Sequence, residues 1–199
     1  MRTPFEVNTA SSDDELSDSM SQDFPTTQVA EHELTPSDRE QLQALLADCF
    51  PEHLTQRIYY KQLPQFRLLI HENGDVVAQV GVEHRVIRVG DAVHRVFGVI
   101  DLATHSAHRG RGLAGALLER LEATAREYGV EFVILFADDQ RLYERRGYVQ
   151  ADNTLKFLGI DEHQSVGVLE RSLPEAFMVL EVGESRWLPG LVDLLGYLF

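Results

Sequence analysis

The chain has 199 residues, 44% of them hydrophobic, which suffices for one ordinary domain with a substantial core and leaves no room for two unrelated full-size domains. Its formal net charge of -14 argues against nucleic acid as a partner, because phosphate binding requires clustered Lys and Arg. A single cysteine, Cys49, excludes an intrachain disulfide and a multi-cysteine metal site, and no apolar run reaches the ~18 residues of a membrane helix, so a soluble, cytoplasmic protein with no membrane partner is expected.

Residues 1–25 are polar and acidic, with Ser11-Ser12-Asp13-Asp14-Glu15 among them, and cannot offset their own ordering entropy; a flexible acidic tail is expected. Thr35-Pro36-Ser37-Asp38 reads as a helix start, followed by Leu42, Leu45 and Leu46 at helical spacing to about Phe50, with Cys49 as a small core residue. Residues 66–70 read as a strand, Glu72-Asn73-Gly74-Asp75 as a hairpin turn, and residues 76–89 as a long returning strand. A second turn at Gly90 leads into a strand over 93–103, which completes an antiparallel meander.

Further on, Leu113, Leu117, Leu121 and Tyr128 trace one apolar helical face that ends at Gly129. Residues 132–136 read as a buried strand, residues 139–146 as a short helix stopped by Gly147, and residues 176–182 as a late strand. Residues 183–199 end in an unusually apolar stretch, expected to dock on its own domain or on a second copy of the chain in a homodimer.

Between meander and helix stands Arg109-Gly110-Arg111-Gly112-Leu113-Ala114-Gly115. Its Gly110-x-Gly112-x-x-Gly115 spacing matches the dinucleotide-binding fingerprint, but residues 105–108 separate it from its strand, and that strand belongs to an antiparallel meander. No Gly-Lys-Ser/Thr follows, so a P-loop is excluded. A helix start nonetheless exposes unpaired amides and a partial positive charge, glycines open the approach, and Arg109 and Arg111 add charge. The turn suits a pyrophosphate; an ordinary helix start with two solvated arginines is the alternative.

Two blocks carry a resemblance. Arg109-x-x-Gly112-x-Ala114 is similar to the [Gln/Arg]-x-x-Gly-x-[Gly/Ala] signature of the GNAT superfamily, the acyl-coenzyme A dependent N-acyltransferases. Leu142-Tyr143-Glu144-Arg145-Arg146-Gly147-Tyr148 resembles that superfamily's Leu-Tyr-Glu-x-x-Gly-Phe segment, and the order of elements over residues 26–182 agrees. The resemblance implies an α+β, GNAT-like fold: a mixed, mostly antiparallel central sheet with helices on both faces and strands four and five splayed. It implies acetyl-coenzyme A as the acyl donor, with no metal. Leu102, Ala103 and Thr104 would pair with the pantetheine arm, and Arg109, Gly110, Arg111, Gly112, Leu113, Ala114 and Gly115 would hold the pyrophosphate. Direct transfer to an amine follows, through a tetrahedral intermediate and without an acyl-enzyme.

In this picture Tyr143 protonates the departing thiolate, and Asp101 sits near the acceptor amine. The family's usual asparagine ahead of the tyrosine helix is missing; Ala137-Asp138-Asp139-Gln140 stands in a shorter connection, with Asp138 and Asp139 read as helix caps. His84 and His94 are further candidate bases, whereas His105 and His108 lack the partners of a metal site. Acids such as Glu52, Asp161, Glu162 and Glu170 would attract a cationic substrate. The expected activity is acetyl transfer to a primary amine of a small molecule, the alternatives being a protein or peptide N-acetyltransferase or an inactive acyl-coenzyme A binding module.

Overall fold

The computed structural model describes residues 24–51 and 56–199. All but the end of the acidic segment 1–25 lies outside the described residues, as does Glu52. In chain order the elements are β1 (Thr26–Ala30), α1 (Pro36–Cys49), β2 (Phe66–Glu72), β3 (Asp75–Val89), β4 (Ala92–Thr104), α2 (Leu113–Glu127), β5 (Phe132–Phe136) and α3 (Arg141–Glu144). They continue with β6 (Val149–Gln150), β7 (Thr154–Asp161), β8 (Gln164–Ser172), β9 (Phe177–Glu181) and β10 (Val192–Tyr197).

Local chemistry sets the first elements. Thr35 accepts from the Asp38 amide at 3.1 Å while Asp38 accepts from the Thr35 amide at 2.9 Å, a reciprocal cap that starts α1 with Pro36 in its first turn. Asn73 and Gly74 both take positive φ, 55° and 92°, as a tight two-residue hairpin requires, and β2, β3 and β4 form the expected antiparallel meander. The short helix is half the expected length, because only residues 141–144 keep helical geometry before Gly147 turns the chain at φ 88°.

The described strands form one ten-stranded sheet, ordered β6-β9-β5-β4-β3-β10-β7-β8, with β2 and then β1 continuing from the first half of β3. Only β4 with β5 and β10 with β7 run parallel. Alternation of side chains across the strands feeds both faces. Leu68, Val77, Val133, Leu135 and Met178 meet Leu113, Leu117, Leu118 and Leu121 of α2, whereas Leu69, Val76 and Ala103 meet Leu42, Leu45 and Leu46 of α1.

A third apolar cluster joins Phe132, Ile134, Phe177 and Val179 to Trp187, Leu198 and Phe199. The Phe199 ring lies so close over Gly98 that a Cβ there would overlap it. Gly98→Ala is therefore expected to lower the stability by roughly 1–3 kcal/mol, as overpacked cores do. Phe199→Ala in the same chain should recover part of that loss, a non-additivity measurable by urea denaturation of the single and double variants.

Candidate active site

The site begins where two strands part. β4 and β5 are registered at Val96–Phe132, Phe97–Val133 and Gly98–Ile134, and no pairing follows, although both strands run on to Thr104 and Phe136. On its other edge β4 carries one extra residue: Gln79 opposes Ala103, but Gly81 opposes Ile100. Asp101 lies within this bulge at φ 48°, a conformation that Asp tolerates better than most side chains.

The bulge is held from behind. Gln79 donates through Nε2 to the Asp101 carbonyl, and its Oε1 accepts from Arg67 Nη1 at 2.9 Å. Arg67 is 1% exposed, ion-paired with Glu31 at 2.7 Å and bonded to the Ile58 carbonyl at 2.6 Å. A buried guanidinium with these partners is satisfied, which makes it a rigid backing for β4.

On one side of β4 opens a cleft of about 720 Å3. Leu102, Ala103 and Thr104 line it from the strand, Arg109, Gly110, Gly112, Leu113, Ala114 and Gly115 from the turn and first turn of α2, and Leu142, Tyr143 and Arg145 from α3 and its end. Gly110 and Gly112 take positive φ, 76° and 85°, and a Cβ on either would meet nothing. Gly115 needs no unusual backbone and also faces open space, so no neighbour within the chain explains its missing side chain. Ala116 makes the first intrahelical bond, to the Gly112 carbonyl at 3.0 Å, leaving the amides of Leu113, Ala114 and Gly115 with no partner inside the helix. Such a cradle fits an anionic group of phosphate size.

The arginines divide. Arg109 lines the cleft and donates to the Thr104 carbonyl at 3.3 Å, beside Cys49, whose thiol donates to the same oxygen at 3.3 Å. Cys49 thus borders the cleft and is only half-buried. Arg111 points away into a two-pronged pair with Glu72, 2.8 Å on each arm, which His108 joins at 2.9 Å. Arg145, which sequence reasoning passed over, lines the cleft in its place.

Tyr143 lies at the cleft wall with its ring edge-on to Tyr148, 5.7 Å between centroids. Burial, reinforced by the charge of Asp139, pushes its phenol up to about 12, so it holds its proton at neutral pH. Asp139 accepts from the Arg141 amide at 3.2 Å and pairs with the Arg141 guanidinium, but Gln140 occupies the N-cap of α3 and no side chain caps it, so neither Asp138 nor Asp139 is the helix cap expected from sequence.

Asp101 faces the other side of β4. There a small cavity of about 40 Å3 is bounded by Tyr60, Lys61, Gln62, Glu83, Ile100, Asp101, Tyr197, Leu198 and Phe199. From sequence, residues 51–65 stand out only as a variable segment bearing on the substrate and residues 183–199 only as an apolar end expected to dock; Asp101 alone is assigned to the site, because side chains from four separate segments carry no spacing that shows them together. Glu83 is buried, bonds the Tyr197 hydroxyl and pairs with Arg85, whose guanidinium lies between the Tyr197 and Phe199 rings, 3.8 and 4.3 Å from their centroids. Asp101 Oδ2 is buried and has no hydrogen-bond partner among the described residues.

The histidines stand elsewhere. His84 borders a groove with Phe66, Phe97 and Tyr128, and His94 bonds Glu131 at 2.9 Å. Among the described residues no group of three or more His, Cys, Asp or Glu is placed to hold a metal ion. Asp161 and Glu162 border a minor recess with Arg57, Tyr60, Lys61 and His163, and Glu170 lies exposed on β8.

Comparison with known proteins agrees with this architecture. Residues 31–151, more than half of the chain, match the acetyltransferase (GNAT) domain family. No curated protein matches the sequence. Among solved structures the fold is similar to the GNAT family N-acetyltransferase YhbS of Escherichia coli, determined in complex with coenzyme A, at 19% identity, covering 86% of this chain and 90% of that one, with a TM-score of 0.58. It is similar also to a GNAT family acetyltransferase of Brucella melitensis in complex with acetyl-coenzyme A, at 16% identity, 84% and 93% coverage and a TM-score of 0.54. Escherichia coli ElaA matches at 16% identity, 79% and 99% coverage and a TM-score of 0.55. The protein is an acetyltransferase. Its chain belongs to the GNAT family of these enzymes.

Burial pushes the Asp101 carboxyl up to about 6, against the weaker opposing pull of Arg67 and Lys61. In an unfolded chain an aspartate titrates near 3.9. The folded state therefore binds more protons between these values, and stability present at low pH is lost as the pH rises through about 6, by about 3 kcal/mol. Asn tolerates the same positive φ and cannot ionise. Asp101→Asn is expected to gain roughly 1–3 kcal/mol relative to wild type between pH 4 and pH 8, read from urea unfolding at both pH values.

Proposed function

We propose that the protein transfers an acetyl group from acetyl-coenzyme A directly to the primary amine of a small molecule. One observation carries this reading: the parted β4 has a cleft with an amide cradle and a buried phenol on one side, and an unpartnered carboxylate in a small cavity on the other. Donor and acceptor thus approach the same strand from opposite sides.

The residues fit the donor. The open glycines and free amides at the start of α2, with Arg109, would take the pyrophosphate; the unpaired edge of β4 at Leu102 and Ala103 would take the amide groups of the pantetheine arm as a strand takes a neighbour. When bound, acetyl-coenzyme A supplies the acetyl group as a thioester. Asp101, ionised above about pH 6, accepts a proton from the incoming ammonium group and frees its lone pair. Tyr143 stays protonated at neutral pH and offers its proton to the departing sulfur. The nitrogen–carbon bond forms first, giving a tetrahedral intermediate from which the carbon–sulfur bond breaks; the second proton lost by the nitrogen returns to the Tyr143 oxygen that protonated the sulfur, so the products are the amide, the free thiol and the one proton held by Asp101. The narrowness of the acceptor cavity, closed by Leu198 and Phe199, favours a small molecule over a protein chain.

Two variants separate binding from chemistry. Gly115→Glu places a carboxylate in the cradle at a helical position where Glu is the better helix former; the expected result is at least a tenfold rise in the Kd for acetyl-coenzyme A with unchanged or higher Tm, by calorimetry and thermal unfolding. Tyr143→Phe should bind acetyl-coenzyme A normally and release thiol about 100-fold more slowly in the presence of an amine, the scale of lost acid catalysis. Unchanged thiol release in Tyr143→Phe would remove the phenol from the mechanism.

A further inference from the structure

The acceptor cavity contains an unresolved pair of charges. Glu83 is committed to Arg85 and the Tyr197 hydroxyl. Two ionisable groups on its wall then remain, Asp101 and Lys61. They are of opposite sign and each feels the other, yet among the described residues neither makes an ion pair. Arg67, the other cation near Asp101, is consumed by Glu31, Gln79 and the Ile58 carbonyl. Lys61 is half-buried, its ammonium resting 5.5 Å from the Tyr60 ring centroid, and desolvation lowers its affinity for a proton.

Leaving two opposite charges unpaired across a shared void costs free energy unless something bridges them. The void holds about three waters' worth of space, on the scale of ~10–15 Å3 per water, so the bridge is short. A ligand that carries its own cation and anion one or two carbons apart satisfies both ends. A simple alkylamine satisfies only Asp101, and a diamine adds a cation beside Lys61.

We infer that the acceptor is a small α-amino acid, its ammonium group directed at Asp101 and its carboxylate held by Lys61, so that Lys61 sets specificity for the carboxylate. This inference rests on the transferase reading above and adds its substrate class. Leu198 and Phe199 also line this cavity of about 40 Å3, whose size favours glycine and alanine over larger residues.

The test measures thiol release from acetyl-coenzyme A with glycine, L-alanine, glycinamide and ethylamine, compared at equal concentrations of free base. Wild type is expected to prefer the two amino acids over the two neutral-tailed amines by roughly ten- to a hundredfold in kcat/KM, the worth of one charge-assisted contact. In Lys61→Met that ratio should collapse toward one, through the KM of the amino acids, and in Lys61→Arg it should persist. Equal use of ethylamine and glycine by wild type, or a ratio unmoved by Lys61→Met, overturns the inference while the transferase reading stands. If acetyl-coenzyme A binds and no amine releases thiol, the transferase reading fails; saturation-transfer NMR of glycine on the acetyl-coenzyme A-loaded protein then decides this point separately. Glycine binding that is lost in Lys61→Met supports the carboxylate site, and no binding in wild type removes it.

Discussion

Everything at the site depends on a parallel ladder that stops early. A strand in the middle of a sheet normally has both edges occupied, because an unpaired buried amide or carbonyl is costly. Here β4 gives up its β5 partner after Gly98, while the extra residue around Asp101 kinks its other edge. The unpaired edge that results is a part of the sheet interior where another extended chain can be added. Turn and helix then bring free amides to the same end of β4, so an edge that would be a liability elsewhere is placed where the proposed donor site needs it.

The cost of that opening is met by buried polar groups. Arg67, Glu31 and Gln79 form a fully enclosed set that fixes the bulge through the Asp101 carbonyl, leaving the Asp101 carboxyl free to project the other way. Because the carboxyl is buried without a hydrogen-bond donor, its proton affinity rises into the range useful near neutral pH. Across the cavity the same principle acts on Lys61 with the opposite sign. One desolvated acid and one desolvated base lining the same recess are the feature on which the proposed acceptor rests.

An acidic chain must also keep its anion cradle positive. At a formal charge of -14 the protein does so locally: the helix start supplies the amides, and Arg109 and Arg145 border the cleft. Arg111, adjacent in sequence, is neutralised by Glu72 from the end of β2. A charge count along the turn overstates its positive character, since only the folded arrangement reveals which guanidinium has a carboxylate waiting for it.

The sequence by itself determined the features that depend on neighbouring residues. The Thr35–Asp38 cap, the Asn73-Gly74 hairpin, the meander of β2 to β4, the α2 helix with its glycine start and the buried β5 were all legible, because capping, turn geometry and periodicity act over a few positions. The two motif blocks around Gly112 and Tyr143 were legible for the same reason. Only the tertiary structure decided that β10 enters the sheet between β3 and β7, that β7 and β8 form a long hairpin beside it, and that Phe199 lies on Gly98. Only it set Lys61, Glu83 and Tyr197 around Asp101 and turned Arg111 toward Glu72. Strand pairing joins Val192 to Val89 and charge pairing joins Arg111 to Glu72, residues far apart in the chain, and their energies depend on which partners folding delivers, which no local spacing encodes.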